Sequence, residues 1–300
     1  MSAPPSPTPP WLVSLHGGHS TGYCDHAQDT LEAIVEAACD AGMPVFGLTE
    51  HAPRVQAEYL FKEERAMGWD VARLEALFAA YAVHSRELQT RYAGKIDLLR
   101  GFEIEIVPPD RYVEVMLGYK EQYGFEYLVG SVHYVADIII DHTLDLYGEA
   151  IRRCGGHEAF CIQYYRNIGA MVRAIRPEVV GHFDLVRRHA RDEDSIATPA
   201  IRKAAFETLD TVAEFGAILD INTGGLRKGF GRPYPAPWIL EAARERQIPV
   251  CFGDDSHGVK DVGFGIGTAR DYLLENGYTE ITALAHGPQG LMKKSISLSA

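Results

Sequence analysis

Seven apolar runs along this 300-residue chain finish on imidazole, carboxylate or carboxamide side chains. In order, the polar endings are His16 with His19, Glu50-His51, Glu103, His133, His182, Asn222, and Asp255 with His257. Neutral imidazole is the commonest metal ligand in proteins, and carboxylate oxygen is a frequent companion to it around divalent ions. Such residues, repeated at one end of each run, describe a metal cluster and the hydrolytic chemistry that clustered ions support.

The individual spacings add detail. His16-Gly17-Gly18-His19 and then His26 put three histidines within eleven residues. Side chains two apart share a face of a strand, whereas His16 and His19 are three apart. Gly17-Gly18 therefore predicts a bulge that turns both imidazoles to one side. In GFEIEIV, alternation sets Glu103 and Glu105 opposite Phe102 and Ile104. A carboxylate directed into a barrel must be paired or metal-bound, and Glu105 is expected to reach the mouth. Nine potential ligands result: His16, His19, His26, His51, Glu103, His133, His182, Asp255 and His257. One four-coordinate ion takes three or four protein ligands, so nine with a bridging carboxylate suit two to three divalent ions. Nitrogen and oxygen donors without thiolate point to Zn, Mn or Fe. Of the other histidines, His84, His189 and His286 are expected on the surface, and His142 and His157 fall in a long connection open to substrate.

The elements that must position these residues alternate. WLVSLH (11–16), PVFGLT (44–49), DLLRGFEIEIV (97–107), FEYLVGSVHYV (125–135), EVVGHF (178–183), AILDIN (217–222) and IPVCFGDD (248–255) read as buried parallel strands. Helical patterns follow from about Thr30 and near 70–91, 110–123, 158–174, 198–215, 236–246 and 268–276. An open doubly wound sheet uses only some strand ends at its switch point. Here all seven are polar, which predicts closure into a seven-stranded barrel whose carboxyl-end mouth holds the site. Residues 1–10 are proline-rich and expected as a disordered tail, leaving 11–300 as one domain.

A formal charge of −12 speaks against nucleic acid and membrane as partners, both being polyanions. Five cysteines, odd in number and without a CxxC pair, suggest reduced thiols and a cytoplasmic setting. No signal-peptide pattern opens the chain, and no apolar stretch nears the ~20 residues that span a bilayer. Glycine-rich dinucleotide and P-loop motifs are missing.

Taken together, HGGHS…CDHA, LTEHAP, GFEIE, GSVHY, GHFDL and GDDSH resemble the successive signatures of the polymerase and histidinol phosphatase (PHP) family. The resemblance runs from about Trp11 to Gly267 and is strongest to the stand-alone histidinol-phosphatases, through CDHA, SVHY and NTGGLRK…YPAP. It implies a distorted seven-stranded (β/α)7 barrel and a trinuclear site made by the nine ligands above, with Glu103 bridging two ions. Two departures stand out: the first histidine pair is usually spaced by one residue, and Glu50 replaces a usual Asp.

The implied activity is metal-dependent hydrolysis of a phosphate monoester, L-histidinol phosphate, in histidine biosynthesis. Catalytic roles fall to Glu103, Asp255 and Arg227. Planar guanidinium suits phosphate, so Arg54, Arg187 and Arg227 are the expected substrate contacts, with Asn222 positioning substrate or ligands and Arg188 as readily at the surface. Asp184 and Glu50 are the acids to consider for protonating the leaving alcohol. A PHP phosphoesterase acting on nucleotides, an amidohydrolase and a non-catalytic PHP module are the competing readings. The last is disfavoured by the intact ligand set, and the amidohydrolase by the lack of a metal-bridging lysine.

Overall fold

Six of the apolar runs form short parallel strands. In the computed structural model, which describes residues 9–288 and 290–299, these are β1 (Val45–Leu48), β2 (Asp97–Ile104), β3 (Tyr127–Gly130), β6 (Val179–Val180), β7 (Ile218–Asn222) and β8 (Val250–Gly253). Their order is β1-β2-β3-β6-β7-β8, and every pairing is parallel. Two antiparallel pairs complete the strands: β4 (Tyr134–Val135) with β5 (Ile138–Ile139), and β9 (Glu280–Gly287) with β10 (Gly290–Ser297). Of the expected tail, residues 1–10, the first eight lie outside the described residues.

The expected seven-stranded count is corrected to six. WLVSLH makes one bridge, Ser14 to Phe46, rather than a strand. It still lies between the sheet's two edges: Gly47 N donates to Ser14 O (2.8 Å) and Leu15 N to Phe252 O (2.9 Å). The ladder is interrupted because Ser14 Oγ donates to His16 O (3.2 Å) and accepts from Asp254 N (3.0 Å). The Tyr127 hydroxyl donates to Leu15 O at 2.9 Å, satisfying a carbonyl that buried backbone cannot leave bare. The sheet is thus curled and parallel, with an irregular segment at its seam.

Helices flank the strands, seven of them where the 3.6-residue stripes predict them, while those at 62–66, 144–153 and 224–227 were not expected. They are α1 (Leu31–Asp40), α2 (Lys62–Ala66), α3 (Val71–Arg91), α4 (Tyr112–Tyr123), α5 (Leu144–Arg153), α6 (His157–Ile175), α7 (Pro199–Phe215), α8 (Gly224–Arg227), α9 (Pro237–Glu245) and α10 (Ile266–Glu275). Thr30, Asp70, Thr143 and Thr198 cap their helices by accepting from the third residue on. The fourth expected strand, 125–135, ends early at Gly130. Ala136 and Asp137 adopt φ of 51° and 63°, turning the chain into the β4–β5 hairpin. No helix among the described residues is long and apolar enough to cross a membrane.

The strands' period of two links the core to the site. Leu15, Leu99, Tyr127, Val129, Val179, Ile218, Cys251 and Leu284 pack as one buried cluster. Residues of the same parity further along carry the chemistry: Leu99 leads to Glu103, Val129 to His133, Ile218 to Asp220 and Asn222, Cys251 to Asp255. Glycine gives room between these layers, since a Cβ on Gly101 would fall 2.7 Å from the Tyr127 ring. Leu284 belongs to the β9–β10 hairpin, which sequence reading did not foresee. His286 ties this hairpin to Asp97 (2.7 Å) and Glu126 (2.6 Å), at or beside the amino ends of β2 and β3.

Candidate metal centre

The expected ligands fall in linked groups, with His16, His19, His51, His133 and His182 about Glu103, and His26, half exposed and paired with Asp25 (3.0 Å), at the outer rim beside His257. Glu103 Oε1 lies 3.0 Å from His182 Nε2, 3.2 Å from His16 Nε2 and 3.5 Å from His133 Nε2; its Oε2 lies 2.8 Å from His51 Nδ1. Asp255 Oδ1 is 3.6 Å from His19 Nε2 and 3.8 Å from His257 Nδ1. Among the described residues, four groups of side chains have ligand atoms within 4.8 Å of one another: His16, His19 and Glu103; Glu103, His133 and His182; His19, Asp255 and His257; and Cys24, His26, His51 and His257. The last group revises the expectation of donors without sulphur, because Cys24 Sγ lies 3.2 Å from His26 Nδ1. The Cys-x-His spacing in YCDH was the available signal.

The first histidine pair is held by a different backbone device from the one expected. Residues 16–19 form no ladder, so there is no bulge in the strict sense. Gly18 takes φ of 78°, and Gly17 N and Gly18 N donate to Thr49 Oγ1 (2.9 Å) and Ser256 Oγ (3.0 Å). This tight, side-chain-tethered turn still sends both imidazoles inward, their centroids 6.0 Å apart.

These residues fit divalent ions on three physical grounds. His16 Nε2 and both nitrogens of His19 are buried with no hydrogen-bond partner, which costs roughly 1–3 kcal/mol each unless something binds them. His51 Nε2 and His257 Nε2 stand 3.3 Å apart, as do His133 Nε2 and His182 Nε2. Two nitrogens about 2.0–2.1 Å from one tetrahedral ion would be separated by roughly that distance. Third, several imidazoles are backed by an oxygen at Nδ1: His16 by Asp220 (2.8 Å), His133 by Glu105, and His257 by Asp255 O (2.9 Å). Glu105 thus holds His133 rather than simply reaching the mouth.

Protonation in the ion-free protein follows from this crowding. Burial opposes charge on Glu103, yet His16 and His133 hold its carboxyl well below the usual range. Burial would also depress His16 and His133, but Glu103 with Asp220 raises the former, and Glu105 with Glu103 raises the latter to about 10. His51 is lowered to about 4 by burial and by His19.

A cavity of about 440 Å³ opens over this centre, within the usual range for small-molecule sites. Its wall includes Arg54, Arg188, Arg227 and Lys228, and the acids Asp25, Glu63, Asp141 and Asp261. Arg227 is held by Asp254 O and Asp255 O, each at 2.6 Å. Arg54 pairs with buried Glu64 and stacks 4.3 Å over Phe61. Arg187 does not line the cavity; it faces Asp184 (3.5 Å) and Glu193 (3.3 Å) and packs on Phe230 and Tyr234. Its neighbour Arg188 lines the cavity instead. Asn222 is buried beneath the centre, donating to Asp220 at 2.9 Å. Glu50 accepts from Ser20 N (2.9 Å), and Asp184 accepts from Ala236 N (2.9 Å); neither lines the cavity. His142 lines it, while His157 pairs with the Tyr147 hydroxyl (3.2 Å) away from it.

Comparison with known proteins agrees with this architecture. The PHP domain profile matches residues 16–224. A Schizosaccharomyces pombe protein with histidinol-phosphatase in its name is 33% identical over 283 residues, 93% of this chain and 91% of its own length. The histidinol-phosphatase of Bacillus subtilis is 30% identical over 261 residues, covering 82% of this chain and 95% of that one. A Lactococcus lactis histidinol phosphate phosphatase, solved with zinc, L-histidinol and phosphate, shares the fold at TM-score 0.68 and 19% identity, over 90% of this chain and 95% of that one. With this agreement of motif order, curled sheet and profile, the chain belongs to the PHP domain family.

Proposed function

We propose that this protein is a metal-dependent histidinol-phosphatase, hydrolysing L-histidinol phosphate to L-histidinol and phosphate with two to three divalent ions of Zn, Mn or Fe. The observation that carries this reading is nine ligand-type side chains, Glu103 among them, gathered in linked groups beneath a cavity walled by both arginines and carboxylates. His16, His19, His26, His51, Glu103, His133, His182, Asp255 and His257 hold the ions, with Cys24 adjoining. Bound ions supply Lewis acidity toward phosphoryl oxygens and an activated water near neutral pH.

The chain's own residues do the rest. Arg227 and Arg54 grip phosphate oxygens, and their fixed guanidinium planes restrict it to one orientation for attack. Arg188 and Lys228 add positive charge where the dianion enters. Arg187 and Asn222 act from behind this wall, Arg187 by fixing the segment that carries Arg188 and Asn222 by holding Asp220. Asp25, Glu63 and Asp141 suit the cationic end of an amino-alcohol ester, which a simple nucleotide lacks. The curated relatives' names agree with this choice of substrate.

The test is a kinetic screen on protein reconstituted with zinc, manganese or iron. L-histidinol phosphate should exceed nucleoside monophosphates in kcat/KM by on the order of 10²-fold or more, the discrimination expected of charged contacts left unpaired by the wrong substrate. Equal or better hydrolysis of nucleotides would favour the general phosphoesterase reading. Full activity in metal-free protein would end both.

A further inference from the structure

One buried acid near the centre was not among the expected site residues. Asp220 lies inside β7, wholly shielded from solvent, on the inner parity shared by Ile218 and Asn222. A carboxylate in such a place is retained only with partners. Its single ion-pair partner among the described residues is His16, whose Nδ1 stands 2.8 Å from Asp220 Oδ2. We infer that Asp220 is a positioning residue that fixes His16 as the Nδ1–H tautomer and so presents its Nε2 lone pair to a metal ion. This inference rests on the metal-dependent reading above.

The surrounding hydrogen bonds leave little choice of tautomer. Asn222 Oδ1 accepts from Gly224 N at 2.8 Å, which sets the amide so that Nδ2 faces inward as a donor. That Nδ2 donates to Asp220 Oδ2 at 2.9 Å, and His182 N approaches the same oxygen at 3.4 Å. His16 Nδ1 lies between this carboxylate and the amide nitrogen, 3.4 Å from the latter. A bare lone pair at Nδ1 would face an anion 2.8 Å away, so the proton belongs there. Nε2 is then the nitrogen left for an ion, buried, without a hydrogen-bond partner and 3.2 Å from Glu103 Oε1.

The fold also keeps space for this arrangement. A Cβ on Gly253 would fall 2.3 Å from Asp220 Oδ1 and 2.8 Å from His16 Cβ. Glycine at the end of β8 is therefore what lets the acid and the imidazole lie side by side.

Zinc binding provides the test, read by competition with a chromophoric chelator on the full chain. Asp220→Asn keeps the shape and removes the charge; Asp220→Ala removes the acceptor. The expected result is at least one zinc equivalent bound about 10–100-fold more weakly in Asp220→Ala, with a smaller loss in Asp220→Asn. The fall in turnover should appear in kcat, with KM little changed, because Asp220 touches no substrate. Nitrogen-15 NMR of wild-type protein loaded with zinc should give His16 a protonated Nδ1 and a metal-bound Nε2, a readout that needs no variant to fold. Zinc affinity unchanged in both variants, or Nδ1 metallated in the wild type, would overturn the inference. Wild-type protein that takes up no zinc would instead sink the metal-dependent reading itself.

Discussion

Arg227 donates through Nη2 to the backbone carbonyl of Asp255 at 2.6 Å, so a proposed phosphate contact and a proposed metal ligand are fastened together. Its Nη1 holds Asp254 O at the same distance. Arg227→Ala should therefore lower kcat/KM by about 10²-fold or more, the scale of one strong transition-state contact. Sequence reasoning alone would leave metal content untouched by this change. The shared fastening predicts weaker zinc binding as well, which chelator competition would reveal. Wild-type kinetics would move the phosphate contact to Arg54 or Arg188.

Glu103→Gln should abolish turnover and cost more than one metal equivalent while circular dichroism stays native, because five imidazoles surround that single carboxylate. Glu105→Gln should fall between this and the wild type. Glu105 backs His133, and the loss of such a partner costs about 10–100-fold in metal affinity or activity. Equal losses in the two variants would mean that Glu103 has no bridging role.

Zinc uptake should release protons, even at pH 8. His133, raised to about 10, and His16, also raised, carry protons in the ion-free protein, whereas a metal ligand must be neutral. Affinity should accordingly tighten as pH rises toward those values. His51, lowered to about 4, is already neutral and contributes no proton. Calorimetry in buffers of different ionisation enthalpy measures the release directly, and a value of zero would contradict this picture.

Gly17→Ala should damage both stability and metal binding. The added Cβ would stand 2.1 Å from Asp254 Oδ1 and 2.8 Å from Ser256 Oγ, in the turn that aims His16 and His19. Overpacking of this kind costs roughly 1–3 kcal/mol, visible as a lower Tm. Gly118→Ala in α4 meets nothing within 4 Å and serves as the control, expected to be neutral or slightly stabilising.

The polar endings of the apolar runs were legible because burial makes the rest of each run so uniform. His133 after YLVGSV and Asp255 after VCFGD stand out from sequences that otherwise only fill a core. Helix positions were legible for a related reason, since an amphipathic stripe such as Leu74, Leu77, Phe78 and Tyr81 of α3 has only one stable way to pack. The β9–β10 hairpin was not: it covers the amino end of the curled sheet, with Lys293 also tied to Gly216 O, and β10 buries no residue that would mark it as a strand.

What the chain by itself determined, then, is the kind of chemistry and its approximate address, because ligand type and strand period are properties of local sequence. Tertiary structure decided which groups face each other. Asp220 is separated from His16 by 204 residues, so inside AILDIN it reads as one polar position among apolar ones. Arg187 and Arg188 are neighbours in sequence, yet a short 3₁₀ turn at Leu185–His189 sends one toward Asp184 and the other to the cavity. The seam was decided the same way: WLVSLH has the composition of a strand, but Ser14 finds partners on both sheet edges and the ladder gives way to them. Such outcomes depend on competition among hydrogen-bond partners brought close only by folding, and no local pattern records it.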